Sequence, residues 1–233
     1  MLDPRKQRLL ELIIKCYIQT SEPIGSQFLV ESAELTVSGA TVRNEMSELE
    51  EEGYLTQPHT SAGRIPTEDG YRYFVENLMT PASPKKKVSS AITALLQSQA
   101  DPKKTLKQIG KYISFETHTA IIIALDHSSV YYTGISELLS QNEFRFQAFV
   151  ISISQMFDQC EEHLDDLFAR VRENKRKIFI GRENPLGSSC SLVLSPLYDG
   201  DELLMSVGPM RMDYEKTLGI IEYVAEEIKK SKQ

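Results

Sequence analysis

The feature that most constrains this chain is the order of elements in residues 38–72, SGATVRNEMSELEEEGYLTQPHTSAGRIPTEDGYR. Apolar residues recur at Val42, Met46 and Leu49, a spacing that predicts one buried face of a helix. A serine that can cap the helix precedes them, and Gly53 is placed to end it. A short extended segment, a polar loop with a glycine and a second short extended segment follow. This order is typical of the recognition helix and wing of a winged helix-turn-helix domain.

The predicted recognition helix has two chemically different halves. The first half is small or hydrogen-bonding on its outer side, where Arg can bond guanine and Asn can bond adenine. The second half carries five glutamates and no Lys or Arg, so phosphates would repel it. If the helix binds duplex DNA, it must do so through its N-terminal end, where the helix dipole also helps. Taken alone, an ordinary solvated helix fits equally well. The residues expected to contact DNA are Ser38, Gly39, Ala40, Thr41, Arg43 and Asn44.

Two further helices are predicted before the recognition helix. Asp3 and Pro4 form a cap and first-residue pair that predicts a helix over about residues 4–20. Breaking residues follow, and a short second helix is expected over roughly 26–33. We expect Leu35 and Val37 to be the buried residues of the turn. Three helices in this order make a helix-turn-helix core.

The predicted wing runs from a strand at residues 54–57, through a turn-rich tip, to an extended return at residues 64–66. Thr67 then caps a helix that continues to Leu78. Arg64 is the cation of this loop, and we expect it to enter a minor groove or to hold a phosphate. His59 has no Cys or carboxylate partner at metal spacing, so we expect a polar loop residue or a phosphate donor and no metal site. The wing residues expected to contact DNA are His59, Thr60, Ser61, Gly63 and Arg64.

The charge balance limits how this chain can bind nucleic acid. The net charge is −7, and residues 1–80 hold seven Lys and Arg against thirteen Asp and Glu. Any affinity for DNA must therefore come from a concentrated patch, and we expect weak non-specific binding and two subunits on one site. The candidate cations for that patch are Arg5, Lys6, Arg8, Arg43, Arg64, Arg72 and the run Lys85–Lys87, although such a run more commonly belongs to a solvated linker.

The residues after position 80 predict a second domain. Prolines, serines and lysines at 81–90 indicate a linker between a domain at 1–80 and one at 91–233. Five segments have the character of strands, and several amphipathic helices surround them. We expect the strands at 119–125, 130–134, 177–181, 190–198 and 203–207, with a hairpin turn at Asp199–Asp201. We expect the helices near 88–99, after Asp101, over roughly 145–172 and from near Asp213. Helices on an antiparallel sheet make an α+β domain.

Nothing in the sequence forms a convergent catalytic set, and we expect no enzyme and no cofactor. Asp126–Ser128 has the residue types of a catalytic triad, but the members of a triad are seldom adjacent in sequence. Three such residues in a predicted hairpin indicate side chains that stabilise a turn. Residues 181–185 and 208–211 follow strand ends, where either a small ligand or an Arg–carboxylate pair would fit. Three distant cysteines indicate buried thiols in a reducing cytoplasm, and no apolar run has transmembrane length.

These motifs resemble the heat-inducible transcription repressor HrcA family. The resemblance covers residues 5–80 and returns in GISELLSQNEF, FIGRENP, CSLVLSPLY and VGPMRMDYEK. It implies a winged helix followed by a GAF-like domain, repression of heat-shock (chaperone) genes at a palindromic operator on double-stranded DNA, and a homodimer whose activity is assisted by a GroEL-type chaperonin. The DNA contacts it implies are carried here by Ser38–Asn44 and by the loop His59–Arg64.

The chain departs from this family at one place. Members continue after the segment matching ISFETHTAIIIALD with more sheet and an inserted dimerising domain, whereas here VYYTGISELLSQNEF follows almost directly. We therefore expect a shortened member with a reduced GAF-like domain that supplies dimerisation and regulation. Two other functions stay open. One is a repressor whose C-terminal domain senses a metabolite, and the other is a protein-interaction module whose acidic winged helix no longer binds DNA.

Overall fold

The structure, a computed structural model, describes residues 2–32, 38–98, 101–171, 177–197, 200 and 202–231. Contacts between Cα atoms divide the chain into two units, Met1–Thr80 and Pro81–Gln233. Helices and one larger antiparallel sheet make up the described residues, as the α+β prediction required. No described helix is both long and apolar enough to cross a membrane.

The N-terminal unit begins with three helices, α1 (Pro4–Thr20), α2 (Ser26–Ser32) and α3 (Gly39–Glu51). Helix α1 starts where Asp3 accepts hydrogen bonds from the amides of residues 5 and 6, and it ends at Ser21, which has a left-handed backbone with φ of 59°. Gly53, with φ of 85°, follows the end of α3 as predicted. The turn residues Leu35 and Val37 lie outside the described residues.

A small wing follows α3. Strand β1 (Leu55–Thr56) pairs antiparallel with β2 (Ile65–Pro66), and Ile24 forms a further antiparallel bridge to Arg64. Thr67 accepts a hydrogen bond from the Gly70 amide and so caps α4 (Glu68–Tyr73), which continues as a π-helical turn over Phe74–Leu78. The fold of this unit is therefore the predicted winged helix-turn-helix.

The core of the N-terminal unit is formed by the apolar stripes of its helices together with Leu55 of strand β1. Those side chains are 4% exposed or less. Because burial of apolar surface stabilises a fold by about 25 cal/mol per Å², these residues are the main source of stability of the unit. They are Leu9, Leu10, Ile13, Ile14, Leu29, Val42, Met46, Leu49, Leu55, Tyr71 and Phe74. Because α3 gives three of its residues to this core, its opposite side faces solvent.

The C-terminal unit is an antiparallel sheet with helices. Its strands are β3 (Ala120–Asp126), β4 (Ser129–Thr133), β5 (Lys177–Ile180), β6 (Ser191–Leu197) and β7 (Glu202–Gly208), in the order β4-β3-β7-β6-β5. Its helices are α5 (Lys86–Ser98), α6 (Pro102–Thr117), α7 (Ile135–Leu139), α8 (Gln147–Gln159), α9 (Leu164–Arg170) and α10 (Tyr214–Ser231). The fold class, with helices flanking an antiparallel GAF-like sheet, is the predicted one.

Two local predictions differ from the structure. Residues 86–90, placed in the linker, form the start of α5, where Val88 is buried. The long helix predicted at 145–172 is divided, because a 3-10 turn at Cys160–His163 separates α8 from α9. Helix α7 was not predicted. Gly200 lies inside the predicted hairpin turn, but Asp199 and Asp201 lie outside the described residues.

Candidate nucleic-acid interface

The N-terminal half of α3 presents an open, hydrogen-bonding surface. Ser38 caps the helix by accepting a hydrogen bond from the Thr41 amide at 3.2 Å, and its hydroxyl lies 2.9 Å from the Thr41 hydroxyl. Ala40, Arg43 and Asn44 are exposed to solvent, as Ser38 is, while Thr41 is half-buried. Gly39 is also half-buried, with open space where a Cβ would lie. The residues expected at base edges are therefore accessible.

The C-terminal half of α3 is largely neutralised from within the same unit. Arg5 lies 2.5 Å from Glu45, and Lys6 lies 2.8 Å from Glu48 and 2.6 Å from Glu52. The hydrogen bonds to these two glutamates raise the pKa of Lys6 above its ordinary value. From the sequence we expected Arg5 and Lys6 to be candidates for additional phosphate contacts. Instead, the structure shows them holding the acidic half of α3 against α1.

The remaining cations of the N-terminal unit are paired too, with one exception. Arg8 and Lys15 pair with Glu11 at 2.9 and 3.0 Å, and Arg72 pairs with acidic side chains of α4. Arg64 pairs with a glutamate of α3. Among the residues that the structure describes in this unit, Arg43 is the one Lys or Arg without an ion pair. The free positive charge of the unit is thus concentrated at the exposed end of α3.

The tip of the wing is a tight polar turn. The Gln57 side-chain amide donates to the carbonyl oxygens of Thr60 at 3.1 Å and Ala62 at 2.7 Å, and the Ala62 amide donates to the His59 carbonyl. His59 Nδ1 lies 3.2 Å from the Ser61 hydroxyl. His59, Thr60 and Ser61 are exposed, so a solvated edge of the tip is available to a partner.

Gly63 and Arg64 lie deeper, at the base of the wing. The backbone N–H and C=O of Arg64 bond to Ile24 at 2.8 and 2.9 Å. A Cβ on Gly63 would lie closer than 3.0 Å to the backbone of Ile24, so glycine is required here for packing within the unit. The Arg64 side chain is 16% exposed and its Nε lies 2.8 Å from Glu50.

The motifs weighed for chemistry in the C-terminal unit have structural partners. Asp126 accepts hydrogen bonds from the Ser128 amide at 2.8 Å and hydroxyl at 2.9 Å, which lowers the Asp126 pKa and forms the expected turn. Arg211 forms an ion pair with Glu143 and donates to Gln141 at 2.9 Å. No group of three or more His, Cys, Asp or Glu within the described ranges is arranged to hold a metal ion.

Comparison with known proteins places these features in one family. The family model described as the HrcA protein C terminal domain matches residues 74–218. A heat-inducible transcription repressor HrcA from Acetivibrio thermocellus is 35% identical over 211 residues, which cover 85% of this chain and 60% of that relative. One from Bifidobacterium animalis subsp. lactis is 46% identical over 114 residues, covering 49% of this chain and 31% of the relative.

A solved structure supports the fold. The crystal structure of a hypothetical protein, 16% identical, covers 99% of this chain and 98% of its own chain with a TM-score of 0.77. The chain spans 60% or less of the length of the two curated relatives just described. Since the family model covers well over half of its residues, the chain belongs to the HrcA family, whose curated members cited here are named heat-inducible transcription repressors.

Proposed function

We propose that this chain is a sequence-specific DNA-binding repressor of heat-shock (chaperone) genes that acts at an inverted-repeat operator. One observation carries the proposal: the exposed N-terminal half of α3 holds Arg43, the cation left unpaired among the described residues of its unit, beside the exposed Asn44. Family membership supports a repressor, and this surface supports DNA as its target.

The chemistry of α3 suggests how the helix would approach a duplex. Its N-terminal end offers a guanidinium and an amide, the side chains that bond guanine and adenine in a bidentate manner. The small side chain of Ala40 and the bare backbone at Gly39 allow close approach to base edges. Four of the five glutamates at the other end, Glu45, Glu48, Glu50 and Glu52, are paired with cations of the same unit. We propose that residues 38–44 enter the major groove.

The wing would contact the duplex beside this groove. The exposed residues His59, Thr60 and Ser61 can donate hydrogen bonds to phosphate oxygens, which fixes register without reading sequence. Gly63 and Arg64 complete the wing at its base. Because one unit offers so small a patch, tight binding needs two copies on one site, and we propose a homodimer. Assistance by a GroEL-type chaperonin, which the family resemblance implies, and a cytoplasmic location, which the three distant cysteines indicate, complete the proposal.

A selection experiment tests this function. The full chain is incubated with a pool of random-sequence duplexes, and the bound fraction is amplified and sequenced over several rounds. We expect enrichment of an inverted repeat, and a complex that light scattering measures as two chains per selected duplex. Enrichment of no sequence, with equal binding to every duplex, would contradict sequence-specific repression.

The metabolite-sensing alternative is checked on the same protein. A ligand that binds only the folded chain raises its melting temperature. If a screened metabolite raised that temperature and released the selected duplex, the regulatory signal would be a small molecule.

A further inference from the structure

We infer that Arg64 is a positioning residue, which holds the wing against the recognition helix through Glu50 and gives no phosphate contact of its own. This inference rests on the proposed function, since it concerns how the same interface is held. This role differs from the one expected from the sequence, in which Arg64 enters a minor groove or holds a phosphate. The ion pair between Arg64 and Glu50 is called the wing lock below.

The backbone of Arg64 is fixed on one side by Ile24. Both of its backbone hydrogen-bonding groups are used there, at 2.8 and 2.9 Å. The preceding Gly63 is packed so closely against the Ile24 backbone that no side chain fits. Residue 64 therefore lies at the base of the wing, whereas the exposed residues of the tip are His59, Thr60 and Ser61.

The side chain of Arg64 is directed toward α3. Its Nε lies 2.8 Å from a carboxylate oxygen of Glu50, and the two side chains are 16% and 33% exposed. The Nε atom is buried and its N–H is not aligned with the carboxylate, so the contact is an ion pair without a hydrogen bond from Nε. In this arrangement the charge of Arg64 is largely cancelled before any phosphate approaches. A cation interacts more strongly with phosphate when no carboxylate is paired with it, as is the case for Arg43.

The two roles predict opposite effects for the loss of Glu50. If Arg64 binds phosphate, Glu50→Gln removes a competing carboxylate and one negative charge near DNA, so affinity should rise. If the wing lock positions the wing, Glu50→Gln releases it and affinity should fall. Glu51 provides a matched control, because it is exposed, next in sequence, and without an ion pair among the described residues. Glu51→Gln removes the same charge and leaves the lock intact.

The test is a double-mutant cycle on the full chain with Glu50→Gln, Arg64→Gln and both changes together. The probe is the fluorescein-labelled duplex that the parental chain selects from a random pool, and binding is titrated at several salt concentrations. We expect each single variant to bind about threefold to fivefold more weakly, because a partly exposed ion pair contributes little free energy. The double variant should bind no more weakly than either single variant, as contacting residues that act as a pair behave. Glu51→Gln should bind at least as well as the parent.

The salt dependence separates positioning from direct contact. Loss of one phosphate contact lowers the slope of log affinity against log salt by about 0.9. We expect Arg64→Gln to keep the parental slope. A slope reduced by that amount, or tighter binding by Glu50→Gln, would overturn the inference. Circular dichroism melting shows whether the variants stay folded, which we expect because a partly exposed ion pair adds little stability.

Failure of the inference is distinguishable from failure of the proposed function. If the parental chain bound no duplex selectively, the repressor proposal would fail. The wing lock is still tested in that case by amide exchange at Ile24 and Arg64. Faster exchange in Glu50→Gln than in Glu51→Gln would support it, and equal exchange would refute it.

Discussion

Adding one methyl group at the base of the wing should destabilise the N-terminal unit severely. In Gly63→Ala the new Cβ would lie 2.8 Å from the Gly25 amide nitrogen and nearer still to the Ile24 carbonyl group. These are backbone atoms, so no side chain can swing aside to relieve the overlap. The wing must move away from Ile24, which breaks the paired hydrogen bonds between Ile24 and Arg64.

The expected cost follows from two contributions. Overpacking of a close contact costs about 1–3 kcal/mol. Each lost backbone hydrogen bond contributes about 1 kcal/mol net. The two contributions are not simply added, because the movement that relieves the overlap is the same movement that breaks the hydrogen bonds. We therefore expect a loss of about 3 kcal/mol in the free energy of unfolding. For a unit of this size that lowers the melting temperature by more than about 10 °C.

A matched control is available one residue beyond Ile24. Gly25 has open space where its Cβ would lie, so Gly25→Ala adds the same methyl group without an overlap. Thermal melting by circular dichroism compares both variants with the parent, and amide exchange at Ile24 and Arg64 reports the bridge directly. We expect fast exchange in Gly63→Ala alone. Equal melting temperatures for Gly63→Ala and Gly25→Ala would refute the reasoning.

Three further changes test the remaining structural claims. Ser38→Ala removes the cap of α3 and should cost about 1 kcal/mol, while Ser38→Asn keeps a cap; equal melting temperatures would show that the cap contributes nothing. The hydrogen bond from the Lys6 amide is the main cause that lowers the pKa of Asp3 below its ordinary value of 3.8. The stabilisation by the Asp3 carboxylate is therefore present above about pH 4 and is lost as the pH falls through the lowered pKa. Asp3→Asn should remove this part of the acid sensitivity, and a melting temperature with unchanged pH dependence would contradict the assignment. Tyr214 is fully buried and its hydroxyl lies 2.7 Å from that of Ser191. Tyr214→Phe leaves Ser191 without this partner and should cost about 1–3 kcal/mol in urea unfolding, which an unchanged midpoint would exclude.

Much of the fold was predictable because its signals are local. The cap at Asp3 and the proline after it place the start of α1, and Gly53 marks the end of α3, since each acts on its own turn of helix. The five strands of the C-terminal sheet were predicted to within one or two residues for a similar reason. Three of them, β3, β6 and β7, are buried apolar runs, which differ from the amphipathic helices around them.

The failures come from features that periodicity does not register. The apolar spacing continues through Cys160, so the sequence predicts one long helix where a 3-10 turn divides two. The lysines before Val88 have the composition of a linker, yet Val88 is buried and the helix α5 has already begun. The composition of such a segment reflects its solvent-exposed residues and does not show which residues pack against the core.

The exposed residues of the candidate site follow from helix geometry, but the ion pairs do not. Opposite sides of α3 can be assigned from its sequence, and Ala40 and Asn44 are exposed as expected. The pairing of Lys6 with Glu48 and Glu52 joins residues more than forty positions apart. Only the packing of α1 on α3 brings them together. The sequence did contain one signal for these ion pairs, the excess of acidic residues before position 80. In a unit with so many carboxylates, a Lys or Arg side chain usually has one nearby to pair with.

The measurement that tests the central claim most directly is duplex binding by Arg43→Ala. The parental chain and the variant are titrated against the selected duplex and against the same duplex with its sequence shuffled, at fixed salt. Because a bidentate contact to guanine discriminates by about 1–3 kcal/mol, we predict at least a fivefold loss on the selected duplex and a smaller loss on the shuffled one. Unchanged binding to both would contradict the claim that this end of α3 enters the DNA, and equal losses would reduce Arg43 to a phosphate contact.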